Sequence, residues 1–83
     1  MTSIRDLVAQ TRLPHETPIL SALPGLTWHT CNPLADAGIT TVGRLAEQTD
    51  VDLLALPGVG GRRLDGLRAE LQRVARELKD GAQ

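Results

Sequence analysis

An all-α fold is predicted for this chain, on three observations. Apolar residues recur at Leu64, Leu67, Leu71, Val74 and Leu78, spacings of three and four that place them on one helix face. No segment alternates apolar and polar residues with the period of two that a half-buried strand requires. Proline, glycine and threonine punctuate the apolar segments where helices stop and start. The expected architecture is a compact bundle of four short-to-medium helices with helix-hairpin-helix turns, preceded by a short helical arm.

Residues 1–17 form the arm and its joint in this reading. Thr2 or Ser3 caps a short helix in which Ile4, Leu7 and Val8 share a face. Pro14 ends it and Pro18 adds a second break, leaving open whether the arm packs on the body or pairs with another protein's groove. The main domain then spans 18–80, with 81–83 as a tail. Pro18 to Leu23 suggests one turn of helix, stopped by Pro24-Gly25. The first full helix is expected from about Thr30 to Ala37, with Thr30 as N-cap, Pro33 in its first turn and Gly38 as its left-handed stop. A second helix follows Thr40 or Thr41 and turns Val42, Leu45 and Ala46 inward. Asp50 begins a third, with Val51, Leu53, Leu54 and Leu56 as its apolar residues. The fourth runs from about Gly61 to Lys79.

The stretch from Leu56 to Leu64 organises the rest. Pro57 lacks an N–H and stops the preceding helix, and Gly58 can take the positive φ of a tight reversal. Val59 supplies an apolar plug between two helices. Gly60 and Gly61 carry no Cβ and stand where the first N–H groups of the next helix lack partners. Bare amides at a helix start, with Arg62 and Arg63 alongside, make an anion site, and a nucleic-acid phosphate is the expected anion. The alternative is a plain turn that binds nothing. Leu23-Pro24-Gly25-Leu26 echoes Leu56-Pro57-Gly58-Val59, which suggests two related halves or a chance match of four residues.

Composition bounds what such a domain can do. With 83 residues, 41% of them apolar, the chain is a small globular domain rather than a disordered one. Its core must be aliphatic, because Phe and Tyr are absent and Trp28 is the sole tryptophan, read here as a core residue, with a base-stacking platform as the alternative. The single cysteine, Cys31, forms no internal disulfide and is read as a small buried apolar residue. His15 and His29 stand apart without metal-ligand spacing, so no cofactor is expected. No serine–histidine–aspartate order or Walker-type lysine motif points to an enzyme. Apolar runs too short to span a membrane, with no leader at the amino terminus, suggest a soluble cytoplasmic protein. The net charge of −1 argues against strong general attraction to nucleic acid, yet its distribution is uneven. Residues 61–80 hold six basic and four acidic side chains, whereas the first sixty hold three basic and six acidic.

From Pro18 to about Leu78 the chain resembles the C-terminal domain of the bacterial RNA polymerase α subunit. The resemblance is carried by Pro18-Ile19-Leu20, Leu26-Thr27 with Asn32 and Leu34, Gly38-Ile39, Val42-Gly43, Leu45, Thr49 and Asp52-Leu53-Leu54. The family's Pro-Asn-Leu-Gly-Lys turn is matched by Pro57-Gly58-Val59-Gly60-Gly61. It implies four helices plus a nonstandard first turn. It also implies binding to A·T-rich minor grooves upstream of promoters and contact with transcription activators. In the family the DNA surface combines the start of the first helix with the glycine turn. The family's main DNA-contacting arginine falls at His29, a shorter side chain that lacks a permanent charge. Asn32 and Gly60 match, the neighbouring cysteine becomes Pro33, and the family's lysine and serine that follow the turn become Arg62 and Arg63. Gly66 replaces a glutamate, and no acid lies between Ser21 and Gly25, where the family faces the σ factor. The polymerase-assembly domain has no counterpart, which suggests a free-standing relative or a fragment.

The resulting expectation is a small DNA-binding module of the bacterial transcription apparatus. His29, Asn32, Gly58, Gly60, Gly61, Arg62 and Arg63 are its candidate contacts. Its DNA is A·T-rich or bound without sequence preference, and weakly. The alternative is a protein-interaction module that kept the shape, lost DNA affinity, and engages a transcription regulator, σ factor or RNA polymerase.

Overall fold

A computed structural model describes residues 3–81. Among them lie six helices: α1 (Ile4–Thr11), α2 (Ile19–Ala22), α3 (Trp28–Asp36), α4 (Val42–Ala46), α5 (Asp50–Leu54) and α6 (Gly61–Gly81). The expected arm is α1, the single turn is α2, and the four-helix body is α3 to α6. Thr2, expected as an alternative cap, lies outside the described residues, as do residues 82–83 of the expected tail.

Short polar side chains start several of these helices by accepting orphan backbone donors. Ser3 Oγ accepts from the Asp6 N–H at 3.2 Å, and Thr41 Oγ1 accepts from Arg44 at 3.2 Å. Thr49 and Asp52 form a reciprocal capping box at α5. α1 closes two residues before Pro14, where Arg12 adopts a left-handed φ of 55°. Between α1 and α4 the chain is clamped by backbone bonds: Val42 N–H to Thr17 O at 3.0 Å and Gly43 N–H to His15 O at 2.9 Å.

The long helix α6 is the spine. Leu64, Leu67, Leu71 and Val74 line its inner face and join Leu34, Leu45 and Leu53 in one aliphatic core. α1 lies against both α4 and α6, with Ile4, Leu7 and Val8 in that same core. Of the two roles left open for the arm, the structure therefore shows the packed one. Cys31 is buried as expected, and burial pushes its thiol pKa up.

Three local expectations are corrected. α3 begins at Trp28 with Thr27 as N-cap, not at Thr30, which is buried inside the helix. Pro33 consequently sits in the second turn, where its missing N–H leaves the His29 carbonyl without the usual helical donor. Trp28 is 63% exposed rather than core. With about 100° between residues, Thr30, Cys31 and Leu34 take the inner face and Trp28 is rotated off it. On α5 only Leu53 is buried; Val51 and Leu54 face outward, and Leu78 near the end of α6 is likewise exposed.

Candidate nucleic-acid interface

The α5–α6 hairpin is assembled from its residue types in order. After Leu54 the chain turns through Leu56 and Pro57, and Gly58 takes a φ of +84°, a region that side chains avoid. The Val59 N–H then bonds to Leu56 O at 3.1 Å, and the Val59 side chain is buried in the core. That plug anchors the loop and fixes the angle at which α6 departs. Leu64 N–H bonds to Gly60 O at 3.0 Å, so Gly60 is the N-cap of α6.

The N–H groups of Gly61, Arg62 and Arg63 are consequently the orphan donors of a 21-residue helix. Among the described residues no side chain caps them. Gly60 and Gly61 are exposed, and a Cβ built on either meets nothing within 4 Å. The turn faces open space. Arg62 and Arg63 are exposed, and no carboxylate among the described residues lies within ion-pair distance of either. The adjacent Asp65 is directed to Arg68 instead, at 3.6 Å.

The two arginines are not equivalent. Arg63 Nη1 folds back to donate to the Gly58 carbonyl, bracing the turn from outside. Arg62 remains the side chain with reach toward a ligand.

The first Pro-Gly turn shows how such a corner takes an anion. There the Gly25 N–H donates to the Glu70 carboxylate, and a Cβ at Gly25 would collide with Glu70 Oε2. Glu70 is buried and paired with Arg73 through bonds of 2.6 and 2.8 Å. Arg73 holds the Glu70 pKa below the ordinary carboxylate value; burial opposes this and the Gly25 bond assists it. Gly25 has no left-handed φ, so the two turns share sequence without sharing backbone geometry. The first corner holds a carboxylate of its own chain; at the second, the helix start is turned outward.

α3 completes the surface. A Cβ on Gly58 would meet Pro33 Cγ at 3.0 Å, so the hairpin packs directly on α3. His29 lies one helical turn before Pro33 on the same face, and Asn32 is its chain neighbour. His29 and Asn32 are both exposed. Pro33 thus ties the helix that carries His29 and Asn32 to the hairpin at Gly58. Trp28, expected in the core, is exposed here and stacks on His29 with centroids 4.0 Å apart and planes at 30°. Its position beside His29 was visible in the sequence, but its exposure was not.

Among the described residues no helix is long and apolar enough to cross a membrane, and no cluster of His, Cys, Asp or Glu is placed to hold a metal. Comparison with protein-family models, curated proteins and solved structures returns no match.

Proposed function

We propose that this protein is a small DNA-binding module of the bacterial transcription apparatus that holds backbone phosphates at the α5–α6 hairpin. One observation carries the reading: the first N–H groups of α6 have no side-chain cap among the described residues, and Gly60, Gly61 and Arg62 around them are exposed. The buried Val59 plug holds the donors in place, so little freedom is lost on binding. His29 and Asn32 lie on the adjoining face of α3, where the resemblance to the polymerase α-subunit domain puts a groove-probing surface. His29 in place of arginine, together with a net charge of −1, implies weak affinity.

The test is a titration of the full chain with a short A·T-rich duplex at low salt, followed by amide NMR. Shifts at Asn32 and from Gly58 to Arg63 are expected. Arg62→Ala combined with Arg63→Ala should weaken binding and reduce the slope of log affinity against log salt by about 1–2. Silent amides at millimolar protein would reject the DNA reading. An unchanged salt slope would remove the arginines from the interface.

A second reading is favoured by a different observation. Val51 and Leu54 stand 74% and 46% exposed on α5, beside the hairpin, and such side chains suit a protein partner. A module that lost DNA affinity would engage a regulator, σ factor or polymerase through them. Val51→Ser with Leu54→Ser should abolish polymerase or σ capture while leaving the duplex titration unchanged.

A further inference from the structure

The exposed indole of Trp28 bears on the form of nucleic acid this surface takes. A large apolar ring left in water forgoes the stabilisation that burial would give it. Here the ring is 63% exposed, and its stack on His29 presents two rings together at the first turn of α3. Trp28 was expected in the core rather than as a stacking platform, and its exposure is accounted for by neither the resemblance nor the hairpin reading. Distance is favourable. His29 is one turn from Pro33, about 5–6 Å along the helix, and Pro33 rests on the hairpin at Gly58. The helix whose first turn carries the two rings thus packs on the hairpin through Pro33.

We propose that the surface binds single-stranded DNA, with an unpaired base stacked on Trp28 and the adjoining phosphates held by Gly61, Arg62 and the Arg62 side chain. The proposal rests on the hairpin's phosphate-binding role described above and specifies its substrate. In a duplex each base is covered on both faces by its neighbours, so Trp28 gains a partner only if a base is unstacked first. A single strand offers its bases at no such cost. The exposed amide of Asn32 lies on the same helix and can bond to a base edge, which stacking alone does not read. Because every base has a π-face, the platform imposes little sequence preference.

Trp28 is the only tryptophan and tyrosine is absent, so intrinsic fluorescence reports this one position. The experiment titrates the full chain with one short A·T-rich oligonucleotide, as a single strand and as its duplex, reading fluorescence and amide shifts. The single strand should bind more tightly and quench the emission. Trp28→Ala should weaken single-strand binding about tenfold, with duplex binding nearly unchanged. Trp28→Phe should restore most of the loss. Arg62→Ala should weaken both forms alike. Because the ring lies on the surface, circular dichroism of both Trp28 variants should match the parent protein.

A Trp28→Ala variant that binds single strands as tightly as the parent protein overturns the proposal. So does a parent protein that prefers the duplex; in either case, amide shifts from Gly60 to Arg62 leave the DNA reading standing. Silence of those amides with both forms fails that reading and this proposal together.

Discussion

Gly58 and Gly61 are three residues apart at the α5–α6 corner, yet their backbones impose opposite constraints. Gly58 holds a φ of +84° with Pro33 Cγ 3.0 Å from where a Cβ would stand, whereas nothing lies within 4 Å of a Cβ on Gly61. Gly58→Ala should therefore cost about 1–3 kcal/mol of stability, combining left-handed strain with the contact. Gly61→Ala, in the first turn of α6, should shift stability by no more than about 0.5 kcal/mol in either direction. Paired chemical denaturation curves check both. Equal costs would mean that the turn is not the rigid left-handed corner described. Arg63 illustrates the same dependence on surroundings. Its neighbour Arg62 projects to solvent, while Arg63 is drawn back by the carbonyl that the Gly58 corner exposes.

Among the elements, α6 acts on the rest of the chain through charge as well as leucines. Glu70 reaches across from its buried face to cap the Gly25 amide ahead of α3, and Arg73 neutralises it. Replacing Glu70 by Gln keeps the shape but removes the charge from both bonds, and should cost about 1–3 kcal/mol at neutral pH. The sign of the pH dependence follows from a pKa that is lower in the folded state than in the unfolded one. Such a group contributes its full stabilisation above the ordinary carboxylate value, near pH 4.3, and loses it as pH falls through the folded pKa. The stability difference between the parent protein and Glu70→Gln should accordingly shrink as pH is lowered from about 6 toward 3. A gap that stays constant or widens would show that Glu70 acts through packing alone. The exposed pair Arg44–Glu47, 3.9 Å apart, is a useful contrast, since Glu47→Ala should change little.

For the whole molecule the decisive fact is how few residues make the core. Leu7 on α1 and Leu71 on α6 are 2% and 0% exposed in the same cluster. Leu7→Ala and Leu71→Ala should each cost about 2–5 kcal/mol, a large share of the total stability of a domain this size. Thermal unfolding would show the two losses to be comparable. A cost below about 1 kcal/mol at Leu7 would mark α1 as a detachable arm. α1 is tied in at its first residue as well. The Ile4 N–H donates to Asp50 Oδ1 at 3.0 Å, and Asp50 also accepts from Arg68. One carboxylate thereby joins α1, α5 and α6.

Local chemistry in the sequence determined the helices, their order and the hairpin. A period of 3.6, a threonine before an apolar run and a glycine after one act over a single turn of chain, and each is readable without knowing the partners. Hence α4, α5, α6, the Gly38 stop and the Gly58–Val59 corner fall where the residues indicate. Only the tertiary structure decided which apolar residues would be covered. Leu53 and Leu54 are equally apolar neighbours, but α5 touches the core along one edge and buries just the first. Trp28 lost its inward place because α3 starts at Trp28, capped by Thr27, and gives that face to Thr30, Cys31 and Leu34. Glu70 and Gly25, 45 positions apart, have no local signal that pairs them. Burial and long-range capping depend on where distant segments meet, and in so small an aliphatic core those meetings left an indole facing solvent at the first turn of α3.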